Sequence, residues 1–522
     1  MSHFLVCHRL CDLGQSTFYM AQRSVLMQTT RPQTIHHFVQ HCLGIFFSED
    51  QSPDNHHTII LQQRAVWIAL ALFLFSLIEL FNWLFALLGP LGTVLPFMLT
   101  LGSFAAMWKS FYPATPQQQA GKRSTQRSIP LWQRLVFMLS LILSLVGIVE
   151  MGMATVMCFM PPQFSNDGTS LDTNAAMLLV HGRNPYTDSN MLDMYRKFRL
   201  EPNWTTPLRK DQFANRLDYP TVGEFRSVLD TALKSDGVAP EFESKVSYPA
   251  LSFLTLVPFA LFDNYNVLPF YFLSYLTLIF IAWKAAHPTL RPWILLLSMS
   301  NVPMWSSTVG ANLDIFYTLL IVLVWLLREY RWSSAIFLGL AIASKQIAWF
   351  FVPFYAIMIL RRYGSKETIA RLLIAGSVAF AINLPFMLWN LQAWLAGVMA
   401  PVADPMFPLG IGIISFSLGH WLPFFSSWVY TALELSTMIG ALLLYWRVCR
   451  RYPEVAMLLA VLPLFFAWRS LPSYFACVAY PLFVISASNI KPGVRRALST
   501  VRQRTMAIPL RIAVGMKIPA SI

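Results

Sequence analysis

Residues 135–160 read LVFMLSLILSLVGIVEMGMATVMCFM, a continuous apolar run whose one charged side chain is Glu150. About 20 such residues form a helix that crosses the ~30 Å hydrocarbon layer of a bilayer. The next stretch, residues 161–186, reads PPQFSNDGTSLDTNAAMLLVHGRNPY and carries two carboxylates, Asp167 and Asp172. Together the two stretches predict a membrane helix that ends in a polar, acid-bearing segment at the bilayer surface.

Apolar runs of similar length recur along most of the chain. Of 522 residues, 56% are hydrophobic and 12% are charged, whereas soluble domains carry about 25% charged residues. The runs lack the polar and apolar alternation of membrane β-barrel strands. We therefore predict an all-α polytopic membrane protein, a bundle of about 11–13 transmembrane helices. The strongest candidates are 65–88, 91–108, 135–160, 249–262, 267–286, 311–327, 333–360, 368–388, 427–446, 454–468 and 472–487, and the weaker ones are 292–308 and 411–425.

Basic segments between the runs predict the orientation of the bundle. Residues 109–134 and the tail 488–522 carry several Lys and Arg residues and no Asp or Glu. Because short basic loops stay on the cytoplasmic side, we place both segments there, together with the N-terminal tail 1–64. The remaining chain then divides into an extra helical pair with its basic loop, 65–134, and a main transmembrane domain, 135–487.

The outer loop 161–247 is the longest polar segment between two predicted spans. It holds 12 of the chain's 25 acidic residues and 10 Lys or Arg residues. Its short apolar patches between charges predict interfacial helices that rest on the membrane. Beyond it, Lys284, His287 and Arg291 have the character of a cytoplasmic loop, yet counting spans from the outer loop puts them outside. We therefore expect either a broken span within 249–308 or an error in the number of spans there.

The N-terminal tail and the net charge bear on metals and nucleic acids. The tail is rich in cysteine and histidine, including Cys7, His8, Cys11, His36, His37, His41 and Cys42. Their spacing matches no zinc-finger pattern, so we predict no metal site. The net charge of +14 is spread over loops rather than gathered on one soluble face, so we predict no nucleic-acid partner.

Short motifs follow the first acid of the outer loop. They are AAMLLVHGRNPY at 175–186, Tyr248-Pro249, Gly310-Ala311-Asn312 and Ser344-Lys345-Gln346. This layout resembles the polyprenyl-phosphate-dependent glycosyltransferases of the GT-C superfamily, and within it glycosyltransferase family 87, which includes mannosyltransferases. The motifs lie within residues 135–390. Gly-Ala-Asn stands where the family often has Gly-Gln-Asn, and the helical pair 65–108 precedes its usual first span.

The resemblance implies a reaction and a base. Such enzymes move a sugar from a polyprenyl-phosphate donor to an acceptor hydroxyl, with inversion at the anomeric carbon. The position of Asp167 after the outward span implies that it is the general base, and Asp172 is the second candidate. A structural alternative stays open for Asp172, because its carboxylate would cap the first turn if 170–180 is a helix. No cofactor is expected.

Four cationic or donor side chains are candidates for binding the donor phosphate. Lys345 and Arg469 lie in or between apolar spans, where a charge costs about 2.5–3.5 kcal/mol and therefore indicates a function or a partner. Arg469 would bind a phosphate with its two-pronged guanidinium and Lys345 as a point charge. The alternative for both is that they snorkel to the interface. His181 and Arg183, beside the Gly-x-Asn-Pro-Tyr turn, are further donors with a surface-loop alternative.

Five further residues are candidates for substrate binding, namely Asn184, Tyr186, Tyr248, Asn312 and Asp314. The rigid Pro185 after Asn184 predicts a stiff turn against which Tyr186 packs. Asp314, at the outer end of a span, is a candidate for hydrogen bonds to sugar hydroxyls. Glu79 lies in the extra helical pair, and we expect it to pair with a neighbouring helix.

The expected partners are a polyprenyl-phosphate sugar donor, a glycolipid or glycan acceptor, and the lipid bilayer. We expect a multi-pass protein of the cell membrane with an extracytoplasmic active site. Two alternatives are a transporter or flippase that uses Asp314 and Lys345 as substrate or proton sites, and a lipid-linked oligosaccharide ligase or polymerase. The chain shows no paired halves, which counts against transport.

Overall fold

The computed structural model describes residues 44–47, 55–112, 129–162, 164–198, 201, 204–235 and 239–488. Contacts divide the chain into residues 1–59 and residues 60–522. The cysteine- and histidine-rich residues of the N-terminal tail lie outside the described residues. So does the tail after residue 488.

The described chain is almost entirely helical. The α-helices are α1 Asn55–Leu80, α2 Asn82–Leu87, α3 Pro90–Ser110, α4 Leu131–Met157, α5 Asp167–Val180, α6 Pro185–Asp188, α7 Met191–Phe198, α8 Val222–Ser235, α9 Leu251–Leu254, α10 Val257–Leu261, α11 Leu268–Ala285, α12 Arg291–Met299, α13 Val302–Val309, α14 Asp314–Leu326, α15 Arg331–Ser344, α16 Val352–Tyr363, α17 Ser365–Ala403, α18 Ile414–Leu418, α19 Ser427–Val448, α20 Ala456–Val461 and α21 Pro472–Ala487. Short 3₁₀ helices cover Asp211–Phe213, Pro288–Leu290, Gln346–Phe351, Pro453–Val455 and Leu462–Phe466. Two short strands, β1 Leu409–Gly410 and β2 Arg469–Ser470, pair in parallel.

Within the described residues, six helices are long and apolar enough to cross a membrane. They are Ile59–Leu80, Pro90–Ser110, Leu131–Met157, Leu268–Ala285, Ser365–Trp389 and Ser427–Val448. Four shorter apolar helical segments are Asp314–Leu326, Leu391–Ala403, Pro453–Phe466 and Pro472–Ala487. The predicted all-α polytopic membrane fold is therefore confirmed, while the predicted number of about 11–13 spans stays a prediction.

The expected break within 249–308 is present, and it occurs twice. The segment 249–262, predicted as one span, forms the short helices α9 and α10, which pack against α5. The segment 292–308 divides into α12 and α13 around Asn301, whose backbone leaves helical geometry. Proline lies in the first turn of α10 and of α13, where it supplies no backbone N–H. Hydropathy alone does not register such breaks.

The predicted span at 411–425 is wrong. Within 411–425 the structure has only the five-residue helix α18. Gly410 and Gly412 lie just before it. A Cβ added to Gly410 would come within 2.5 Å of the backbone of Ser470, and one added to Gly412 within 2.5 Å of the backbone of Phe465. Close backbone packing of this kind replaces the expected helix.

The outer loop packs around a core of its own. Helices α7 and α8 turn their apolar faces inward onto a cluster that includes Trp204, Phe213 and Phe407, all buried. The predicted interfacial helices exist, but these apolar faces pack on protein rather than on lipid. An amphipathic sequence pattern specifies an apolar face and leaves its partner open.

The extra helical pair is joined to the bundle by polar contacts. Arg64 of α1 forms a buried ion pair of 2.9 Å with Glu454, and the hydroxyl of Ser306 donates to Glu79 over 2.6 Å. The expected partner of Glu79 is therefore a hydroxyl on α13. The helix begins at Asn55, before the boundary predicted at residue 65.

Candidate active site

The helix α5 begins at Asp167 because the residue before it is a good cap. The side chain of Asn166 accepts a hydrogen bond from the backbone N–H of Thr169 over 2.9 Å and donates to the carbonyl of Gly310 over 2.7 Å. The hydroxyl of Thr169 donates to the carbonyl of Ala311 over 2.7 Å. The Gly310-Ala311-Asn312 turn therefore holds the start of α5, and with it Asp167.

Asp167 is half-buried, and its carboxylate is held from two sides. One oxygen, Oδ1, accepts from the backbone N–H of Gly168 over 2.7 Å, and Oδ2 accepts from the hydroxyl of Thr206. Its place in the first turn also suits a negative charge, because backbone N–H groups point out of a helix N-terminus. The carboxylate is thus oriented and still reachable, as a general base must be.

Asp172 lies one turn further along α5 in a different environment. It is 0% exposed, and the hydroxyl of Ser252 donates to its Oδ1 over 2.6 Å. Its Oδ2 has no hydrogen-bond partner among the described residues. Burial raises the pKa of Asp172 to about 8, so the neutral acid predominates at pH 7. The open alternative that Asp172 caps the helix is wrong, because Asn166 is the cap.

Lys345 occupies a break between two helices. Its backbone is extended, with φ −155° and ψ 142°, between the end of α15 and the 3₁₀ helix Gln346–Phe351. Its Nζ pairs with Oδ1 of Asp314 at 2.5 Å, and the two residues are 8% and 1% exposed. The snorkelling alternative is therefore wrong for Lys345. Each charge in this pair offsets part of the free-energy cost of burying the other, a pairing that the sequence does not reveal.

Asp314 is the first residue of α14, and Asn312 holds its backbone by a hydrogen bond. The side-chain oxygen of Asn312 accepts from the backbone N–H of Asp314 over 3.0 Å. The second carboxylate oxygen of Asp314 has no hydrogen-bond partner in the described part of the chain. Asn312 therefore has a structural task, and its predicted contact with substrate stays a prediction.

Arg469 reaches the same end of the bundle from the strand pair. It lies opposite Leu409 in the parallel pairing of β1 and β2, and its Nη1 contacts the sulfur of Met406 at 2.8 Å. Among the described residues, no carboxylate lies within the 4.0 Å of an ion pair with this guanidinium. A half-buried arginine without a carboxylate partner is suited to an anionic ligand.

Aromatic side chains link these charged groups. The phenol of Tyr474 lies within electrostatic range of Arg469, Lys345, Asp314 and Asp167. The ring of Tyr248 has Lys345 Nζ 5.6 Å from its centroid. The hydroxyl of Tyr248 lies so near Gly168 that an added Cβ there would approach it to 3.3 Å. Asp167, Lys345, Asp314, Arg469 and Tyr248 thus form one cluster, called the acid–base cluster below.

His181 and Arg183 lie away from the acid–base cluster. Fourteen residues of helix at 1.5 Å each put His181 about 20 Å along the axis from Asp167. Both side chains are exposed, and Arg183 lies 3.4 Å from Asp188. The structure therefore does not bring these two donors to the site of the other phosphate-binding candidates.

Asn184 and Tyr186 have structural contacts that account for the turn. Asn184 accepts from the backbone N–H of Tyr186 over 3.0 Å, which caps α6. The hydroxyl of Tyr186 donates to the carbonyl of Tyr248 over 2.8 Å, and its ring packs edge-on against Phe253 and Phe386. Tyr186 thereby anchors Tyr248, and a direct substrate contact of either residue stays a prediction.

Glu243 is a site residue that the sequence does not reveal. It is 4% exposed, and its Oε1 has no hydrogen-bond partner in the described ranges. Burial, and then the charge of Asp167, raise the pKa of Glu243 to about 8. Nothing in the local sequence PEFESK marks Glu243 rather than Glu241 as a functional residue, because both lie in the same short polar stretch beside Phe242.

The family comparison agrees with the location of this cluster. The model of glycosyltransferase family 87 matches residues 247–479, a range that contains Tyr248, Asp314, Lys345 and Arg469. Asp167 lies before it, joined through the helix cap. A search of curated proteins and a search of solved structures each find no match. The protein is a membrane glycosyltransferase, and its residues 247–479 form a glycosyltransferase family 87 domain.

Proposed function

We propose that the protein transfers a hexose, mannose in the first instance, from a polyprenyl-phosphate sugar to an acceptor hydroxyl on the outer side of the membrane. The observation that carries this proposal is the acid–base cluster. A fixed and accessible carboxylate, Asp167, shares one end of the bundle with two cations, Lys345 and Arg469. A base and cations together match the two needs of transfer from a phosphate-linked donor.

The proposed reaction is a single displacement at the anomeric carbon. The acceptor oxygen forms a bond to this carbon as the bond from the carbon to the phosphate oxygen breaks, so the configuration inverts. Asp167 takes the proton of the hydroxyl, a contribution of about 10²–10⁴-fold. The phosphate leaves on the lipid with the electron pair of the broken bond. No redox partner is needed.

Arg469 and Lys345 would stabilise the departing phosphate in different ways. Arg469 has no carboxylate within ion-pair distance among the described residues, so its N–H groups are available for two parallel hydrogen bonds. Lys345 Nζ pairs with Asp314 Oδ1 at 2.5 Å, and this pair fixes the position of the ammonium group. Its positive charge still attracts a phosphate at short range. Fixed charges in a site that excludes water stabilise a developing anion strongly.

The breaks in 249–308 support an extracytoplasmic site. With α9 and α10 packed against α5 instead of crossing, α11 is the first span after the outer loop. It then carries Lys284 to the cytoplasmic side, as the positive-inside rule requires. The same count puts Asp167 and Arg469 on the outer side. A glycolipid or glycan acceptor on that side fits this arrangement.

The test uses membranes with wild type, Asp167→Asn or Asp172→Asn, each given radiolabelled polyprenyl-phosphate mannose and native lipid extract. We expect transfer by wild type, a loss of about 10²–10⁴-fold for Asp167→Asn, and near-normal transfer for Asp172→Asn, which mimics the neutral acid. Asp188→Asn is the matched control, because Asp188 is an acid of the same loop whose side chain is 36% exposed and pairs with Arg183, away from the acid–base cluster.

Each arm has an outcome that contradicts part of the proposal. Full activity of Asp167→Asn together with loss in Asp172→Asn would move the base to Asp172. No transfer by wild type would overturn the donor sugar or the acceptor, and a series of lipid-linked hexoses and pentoses would separate the two.

A further inference from the structure

We propose that Glu243 is a further catalytic residue, whose carboxyl O–H donates a hydrogen bond to the departing phosphate beside Arg469. The inference rests on the proposed function and assigns a role in it to a residue outside the family match. It starts from a buried carboxyl oxygen, Oε1, that lacks a hydrogen-bond partner among the described residues. Buried polar atoms nearly always have a partner, so this one points to a ligand that completes the site.

The backbone ties Glu243 directly to the base. The N–H of Glu243 donates to the carbonyl of Thr206 over 2.8 Å, and the hydroxyl of Thr205 donates to the carbonyl of Glu243. The hydroxyl of Thr206 in turn donates to Asp167. Two threonines therefore connect the backbone of Glu243 with the carboxylate of Asp167.

Charged groups face Glu243 from each element packed around it. They are Asp167 at the start of α5, Asp404 after α17 and Arg469 on β2. On its own segment, the phenol of Tyr248 is near, and Ser247 hydrogen-bonds the carboxyl group, which by itself lowers its pKa, as Arg469 does. Asp404 is already paired with Lys210 at 2.9 Å. A second negative charge beside Asp167 is unfavourable, and burial adds to that cost. Burial and the neighbouring carboxylate therefore raise the pKa of Glu243 to about 8.

A neutral carboxylic acid has what an ionised one lacks, an O–H donor. Next to Arg469, this donor would share the charge that develops on the phosphate oxygen as its bond to the anomeric carbon breaks. The proton of the acceptor hydroxyl still goes to Asp167, and the proton of Glu243 stays on Glu243. Removing one donor of this kind costs about 10²–10³-fold in kcat.

The test compares Glu243→Gln and Glu243→Ala with wild type over pH 6 to 9.5, in the same transfer assay, with both kcat and KM measured. The glutamine keeps a donor at every pH, so we expect it to retain most activity and to lose the decline that wild type shows as pH rises through about 8. The alanine should lower kcat by about 10²-fold at neutral pH. Glu241→Gln, whose side chain lines a hollow against α8, is the matched control.

Two outcomes would overturn the role of Glu243 alone. One is an alanine variant as active as wild type, and the other is a glutamine variant with an unchanged alkaline decline. Thermal unfolding of each variant separates lost catalysis from lost folding, and the glutamine variant still tests the role if the alanine variant does not fold. Absence of transfer by wild type would instead overturn the proposed function, and the inference with it.

Discussion

The chemical role of a single residue in this site depends on its burial as much as on its residue type. Asp167 and Asp172 are both aspartates of one helix, five positions apart. Asp167 is half-buried and accepts hydrogen bonds from a backbone N–H and a hydroxyl. Asp172 has one hydroxyl donor and no exposure, and burial favours the neutral form. The accessible environment of Asp167 suits its proposed role as base, and the buried environment of Asp172 suits a structural role.

The raised pKa of Asp172 predicts how stability depends on pH. The carboxyl ionises near its usual 3.8 in the unfolded chain but at about 8 in the folded one. As pH rises through this window the unfolded state loses its proton first, so folding stability falls until pH 8 and then levels off. Asp172→Asn cannot ionise. We expect its melting temperature to fall less than that of wild type between pH 5 and pH 8, measured by thermal unfolding in detergent. Parallel curves for the two proteins would contradict the prediction.

Helices in this bundle bring charged residues together because they end or begin near the candidate site. Helix α15 ends at Ser344, and α14 begins at Asp314, so Lys345 and the first residue of α14 meet where a continuous span would have kept them apart. The extended backbone at Lys345 also lets Gln346 donate to the carbonyls of Ser247 and Val398, at 2.6 and 2.9 Å. A helix break thus couples three segments at the active site.

The Lys345–Asp314 pair predicts strong non-additivity. Lys345→Met or Asp314→Leu alone leaves one buried charge without its partner, which costs about 3–5 kcal/mol. The double variant removes both charges, so we expect it to be more stable than either single variant by denaturant or thermal unfolding. Its transfer activity should stay low, because the cation is lost. A double variant whose destabilisation equals the sum of the two singles would show that the pair does not act as a unit.

At the scale of the molecule, the break in 249–262 bears on which loops share a side of the membrane. In the proposed topology, helices α9 and α10 stay with the outer loop, so that α11 brings span counting into agreement with the basic residues. The prediction is tested by single cysteines placed at Glu201 and at His287, in a chain whose six native cysteines are serine. A membrane-impermeant thiol reagent on intact cells should label position 201 and leave position 287 unlabelled until the membrane is opened. The reverse pattern would invert the proposed topology.

The parts of the fold that can be predicted from sequence are those that depend on consecutive residues. Helices such as Pro90–Ser110, Leu268–Ala285 and Ser427–Val448 match predicted spans closely, because hydropathy is a local property of consecutive residues. The same property predicts spans at 249–262 and 411–425, and both predictions are wrong. Part of each segment is buried by protein, as Phe253 and Ile414 are, while Phe262 and Trp421 are exposed. Composition does not reveal that the helices break there.

The candidate site divides in the same way. Its proposed base, Asp167, is selected by the family resemblance, and its cations, Lys345 and Arg469, are visible in the sequence because charges are rare in membrane spans. Glu243 and Thr206 are not visible, since an outer loop with 12 acidic residues gives no reason to select one of them. Burial within a folded loop is what sets Glu243 apart.

The sequence by itself determined the class of molecule, a helical membrane protein with a glycosyltransferase family 87 domain, and the acid that follows its outward helix. These depend on composition and short motifs, which need no knowledge of distant neighbours. Only the tertiary structure decided that Asp314 pairs with Lys345, that Asp172 is sealed off, and that Glu243 lies beside Asp167. These relations join residues far apart along the chain, and electrostatic interaction depends on distance in space and on the surrounding dielectric.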